Sequence, residues 1–68
     1  MIKEKRKALG FTQQQMADQL NISLRQYVRI DKEEDLPRKD LLYKLILFFN
    51  LTDEEIGQYM RSITQKFA

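Results

Sequence analysis

Three times in 68 residues the chain repeats one local pattern: a residue tolerant of left-handed backbone, an apolar residue, a hydroxyl residue, and Gln or Glu three positions later. The instances are Gly10-Phe11-Thr12 with Gln15, Asn21-Ile22-Ser23 with Gln26, and Asn50-Leu51-Thr52 with Glu55. Gly or Asn at positive φ closes a helix, and Ser or Thr followed by Gln or Glu forms the reciprocal capping box that opens the next. Phe11, Ile22 and Leu51 stand just before each cap, where they can staple onto Met16, Tyr27 and Ile56 one turn inside. A chain stopped and restarted in this way reads as short helices. The spacing predicts five, at about residues 2–9, 13–20, 24–31, 38–49 and 53–66, with no segment patterned as a strand. Pro37 bars helix at the residue before it, which makes 32–37 the one real loop. The restart points are unequally spaced, so this is not a repeat array. No linker interrupts the chain, and the expectation is a single all-α domain over residues 1–68.

Sixty-eight residues leave no room for a separate sensor or catalytic module. The absence of Cys and His removes disulfides, thiolate and imidazole metal sites, cysteine nucleophiles and histidine acid/base chemistry. Ser23 and Ser62 have no base beside them, and the scattered carboxylates match neither a metal pattern nor a Gly-rich phosphate loop. The expectation is a protein that is not an enzyme and carries no metal or cofactor. The longest apolar stretch, residues 45–49, is far short of the roughly 20 residues a bilayer span needs. The basic start at residues 3–7 is not followed by a signal-peptide core, so a cytoplasmic chain is expected, without membrane contact. Charge is unevenly placed. Residues 1–30 carry six basic against two acidic side chains, a net +4, whereas residues 31–68 carry six against eight, a net −2. A basic first half suits a nucleic-acid or acidic partner.

The second and third predicted helices are about two turns each, too short to hold alone in water. They must pack on each other through Met16, Ala17, Leu20, Ile22, Tyr27 and Ile30, with Ala17 small where a close crossing needs it. Two short helices joined by a tight Asn turn make a helix-turn-helix, a hairpin that DNA-binding proteins and plain bundles both use.

The stretch from Gln13 to Asp31 resembles the Cro and lambda-repressor-like, or XRE-type, helix-turn-helix. Ala17, Leu20, Ile22, Ser23, Tyr27 and Ile30 fall where that family keeps its small, apolar and capping positions, and Asn21 stands where it usually has Gly. The likeness extends from about residue 2 to 58, through Arg6, Pro37 and the series Leu42, Leu45, Ile46, Phe49, Asn50, Leu51, Thr52, Glu55 and Ile56. It implies a compact five-helix, lambda-repressor-like DNA-binding domain with the helix-turn-helix at about 13–31. It also implies a sequence-specific transcriptional regulator, a repressor in this reading, whose third helix enters the major groove of double-stranded DNA. With Tyr27 and Ile30 turned to the core, Leu24, Arg25, Val28, Arg29 and Lys32 form an outer stripe, and Ser23 and Gln26 its N-terminal edge. Arginine can bond both acceptors of guanine, Gln can bond adenine, and Leu or Val can meet thymine methyls. By resemblance Gln13 binds a phosphate and buttresses the reading helix, while Arg6 and Asp31 form a buried ion pair between the first helix and the end of the third.

Two departures from the family accompany these matches. The loop carries three consecutive acids, Glu33, Glu34 and Asp35, with Glu33 in the place of a usual Gly. Docked as in the family, they would lie near a DNA strand and repel it modestly, unless Lys32, Arg38 and Lys39 on either side turn the chain so that basic side chains face phosphate. The three acids also favour a rival reading, a protein-interaction module on a DNA-binding fold. The fourth helix is apolar on more than one face, and the fifth continues the pattern with Tyr59, Met60, Ile63 and Phe67. A homodimer through Tyr43, Leu47, Tyr59, Ile63 and Phe67 is the expectation, with docking of the fifth helix onto Tyr43 and Leu47 of its own chain as the alternative.

Overall fold

The computed structural model describes residues 1–34 and 36–65, which form α1 (Ile2–Ala8), α2 (Gln13–Leu20), α3 (Leu24–Asp31), α4 (Lys39–Phe49) and α5 (Asp53–Thr64), with no strand among them. All three predicted capping boxes are complete. The hydroxyls of Thr12, Ser23 and Thr52 each accept from the backbone N–H three residues on, at 3.1 Å, and the Gln15, Gln26 and Glu55 side chains accept from the cap N–H groups at 2.8–3.0 Å. These bonds satisfy donors that a helix start otherwise leaves open. At α4, where Arg38 is the cap residue, no side chain does so.

Four helix ends close in one way. The N–H groups of Phe11, Ile22, Glu34 and Leu51 donate to the carbonyls five residues back, those of Arg6, Ala17, Arg29 and Ile46, at 3.0–3.3 Å. Each closure needs a left-handed residue just before its donor, and these are Gly10 (φ 79°), Asn21 (57°), Glu33 (54°) and Asn50 (52°). Three are residue types suited to that conformation. Glu33 is not, and its strain of about 1–2 kcal/mol has to be held by other contacts.

The core forms where the helices meet: Ile2 of α1, Met16, Ala17 and Leu20 of α2, Tyr27 and Ile30 of α3, Leu45 of α4, and Tyr59 and Ile63 of α5 are all buried. Ala17 is wholly inaccessible, which lets α2 and α3 cross closely. Phe11, Ile22 and Ile56 pack against this core as part-buried residues. Lys5 pairs with Glu55, tying α1 to α5.

The expected dimer face needs correction here. Tyr59 and Ile63 have 0% exposure within a single chain, so they close its own core and present nothing to a partner. The stripe on α5 could be read from sequence, but whether it faces inward depends on how α5 docks. Tyr43 and Leu47 remain 62% and 63% exposed. Phe67 lies outside the described residues, as does Asp35 of the acidic loop.

Tyr27 and Tyr59 both bury a hydroxyl that has no hydrogen-bond partner among the described residues. Burial, and then the Asp31 carboxylate one turn on, push the Tyr27 phenol well above its ordinary range; burial, and then the charge of Glu33, do the same for Tyr59. In the unfolded chain both ionise near pH 10, so above that pH the unfolded state gains from ionisation before the fold does. These two phenols should therefore leave stability unchanged up to about pH 10 and lower it beyond that. Urea melts at about pH 9 and about pH 11 should show a smaller fall for the Tyr27→Phe, Tyr59→Phe double variant. An equal fall in both proteins would assign the alkaline loss to other groups.

Candidate nucleic-acid interface

One face of α3 is committed to the core through Tyr27 and Ile30, and the helical period decides what remains outside. Arg25, Arg29 and Lys32 are exposed, Leu24 is 41% exposed, and Val28 is half-buried beside them. With Glu34 these five residues line one shallow depression on the surface. The structure thus brings together five of the residues expected to touch DNA. Ser23 and Gln26 sit at the same end of α3, but their side chains are engaged with each other's backbone in the capping box. Reading adenine with both amide atoms would compete with that use of the Gln26 oxygen. The first-turn N–H groups that a capping box leaves over, at α2 and α3, are the more available phosphate ligands.

Arg6 and Asp31 set the angle of this face. Arg6 Nε and Nη2 approach Asp31 Oδ2 at 3.2 and 3.0 Å, and Nη1 donates to the Phe11 carbonyl at 2.8 Å. The paired side chains are 9% and 2% exposed. Asp31 ends α3, where a negative charge opposes the helix dipole, so the guanidinium offsets two costs together. Gln13 Nε2 donates to the same Asp31 Oδ2 at 3.1 Å. The start of α2, the end of α3 and the middle of α1 therefore share one carboxylate oxygen. Gln13 thus buttresses α3 with one N–H of its side-chain amide, and the second N–H of that amide is not engaged by this bond.

The two described acids of the loop, Glu33 and Glu34, are placed differently. Glu33 turns inward, accepting from Ser62 Oγ at 2.8 Å and from the Met1 amino group at 3.2 Å, with its side chain only 13% exposed. These bonds hold the left-handed turn. They also remove Glu33 from any surface that could repel DNA. Sequence reasoning missed this tether, whose only trace was an acid where the resemblance calls for Gly. Glu34 instead faces outward, its Oε2 3.7 Å from Arg29 Nε.

A family model described as Helix-turn-helix matches residues 2–56, from the start of α1 into α5. The chain belongs to the helix-turn-helix family of the Cro and lambda-repressor type. Its fold is accordingly that of a DNA-binding transcription regulator. No curated protein and no solved structure matches it. Within this helix-turn-helix chain no described helix is long and apolar enough to cross a membrane, and no described cluster of acidic residues is arranged to hold a metal ion.

Proposed function

We propose that this chain is a sequence-specific, double-stranded-DNA-binding transcriptional repressor of a single domain, acting in the cytoplasm without catalysis or cofactor. The observation that carries the reading is the outer stripe of α3, where Arg25, Arg29 and Lys32 flank Leu24 and Val28 on a face the core does not use. Cations beside apolar groups match a major groove that offers guanine acceptors and thymine methyls. α3 enters that groove, and α2 crosses the backbone with the first-turn N–H groups at Gln13 and Gln14 toward phosphate. Selection of bound sequences from a random duplex library, followed by a salt series, tests this. A defined preferred sequence and an affinity that falls steeply with salt are the expected results.

The dimer part of the reading now rests on α4. Tyr43 and Leu47 lie one turn apart on an exposed face, and Tyr43 borders an apolar groove with Leu42 and Ile46. A second copy covering this face would present two reading helices to two half-sites. Leu47→Glu should lower the association constant by at least tenfold in sedimentation at tens of micromolar, because it buries a charge in an apolar contact. A wild-type chain that stays monomeric and binds a single half-site would remove the dimer. The same exposed face favours the second reading, a protein-interaction module, for which no duplex would be bound at any salt concentration.

A further inference from the structure

An acid in a DNA-reading face calls for a reason, and the fold delivers Glu34 there by a defined device. Lys32 caps α3, Glu33 takes φ 54°, and the N–H of Glu34 returns to the Arg29 carbonyl at 3.3 Å. The turn parts two consecutive acids. Glu33 goes inward to Ser62, whereas Glu34 enters the depression shared by Leu24, Arg25, Val28, Arg29 and Lys32. Its own backbone is thus bonded to the residue whose side chain its carboxylate meets, Arg29 Nε at 3.7 Å. Arg25, one turn earlier in the same depression, makes no ion pair among the described residues.

We propose that Glu34 determines sequence specificity by positioning Arg29, withholding it from phosphate so that it is reserved for a base edge. This rests on the reading of α3 as the DNA-contacting helix. An arginine at the rim of a groove is drawn to the nearest phosphate, a contact that carries no sequence information. Beside a carboxylate the pair has little net charge, so the phosphate field attracts it weakly. The N–H donors of the guanidinium still recognise guanine N7 and O6, because that bond depends on geometry more than on net charge. At 56% and 48% exposure and 3.7 Å the contact with Glu34 is weakly held, so breaking it adds little to the cost of turning Arg29 to a base. Arg25 has no such restraint and serves as the internal control.

The test compares the wild type with Glu34→Gln, Arg29→Ala, Arg25→Ala and the Glu34→Gln, Arg29→Ala double variant, each by duplex selection and by competition at several salt concentrations. Glu34→Gln should lose about tenfold of discrimination at the base pair whose preference Arg29→Ala also removes, and keep the preference that depends on Arg25. Its plot of log affinity against log salt should steepen by about one phosphate contact. In the Arg29→Ala background, Glu34→Gln should leave the discrimination unchanged, relieving at most a repulsion shared by all duplexes. The proposal is overturned if Glu34→Gln tightens binding to every duplex by one factor with the preferred sequence unchanged, since the acid then acts by general repulsion. An equal effect with and without Arg29 overturns it as well. If Arg25→Ala and Arg29→Ala both leave the selected sequence intact, the reading of α3 fails and this inference with it, a pattern distinct from failure at Glu34 alone.

Discussion

Replacing Asp31 by Ala is expected to lower the unfolding free energy by about 3–5 kcal/mol. Among the described residues the carboxylate is the one charged partner of a guanidinium that is itself buried, and its loss leaves Arg6 with the Phe11 carbonyl as its remaining described partner. Gln13 loses its acceptor in the same step. For a domain of this size that is most of the available stability, so the variant should be largely unfolded at modest urea concentrations. Replacing both partners, Arg6→Leu with Asp31→Leu, should cost less than the single change, because no charge is then left buried. A urea melt in which Asp31→Ala costs under about 1 kcal/mol would show that water supports the pair.

The joint substitution Arg25→Ala, Arg29→Ala should weaken binding to the selected duplex by about 2–6 kcal/mol, the sum of two base-reading arginines. Both side chains are exposed and neither belongs to the core, so far-UV circular dichroism and the urea midpoint should stay close to wild type. Anisotropy titration on the wild-type operator measures the loss. Undiminished affinity would remove α3 as the reading helix while leaving the fold assignment untouched.

What could be read from sequence divides along the reach of the interactions. Capping boxes act over three residues, so Thr12, Ser23 and Thr52 placed three helix starts correctly before any packing was known. The Arg6–Asp31 pair spans 25 positions, and no local rule finds it; it was legible only because the resemblance aligned both ends. Tyr59 and Ile63 show the limit. Their period marks an apolar stripe, but a stripe turned to its own core and one turned to a partner have the same spacing, and only the docking of α5 separates them. Glu33 and Glu34 are chemically alike, and only the Gly position of the resemblance marks Glu33 as a candidate for left-handed backbone, without showing where either carboxylate goes. A left-handed turn, invisible in composition, sends one to Ser62 and the other to Arg29.

Along α3 the labour is divided by position. Ser23 and Gln26 hold the helix start, Tyr27 and Ile30 anchor it, and Asp31 fixes its far end, which leaves 24, 25, 28 and 29 with no part in these bonds and little part in the core. Those four sites are an alphabet set in a separate grammar. If α3 reads DNA as proposed, new letters there would rewrite which operator is recognised while the frame that aims them persists, and the chain could be retargeted without first repairing its stability.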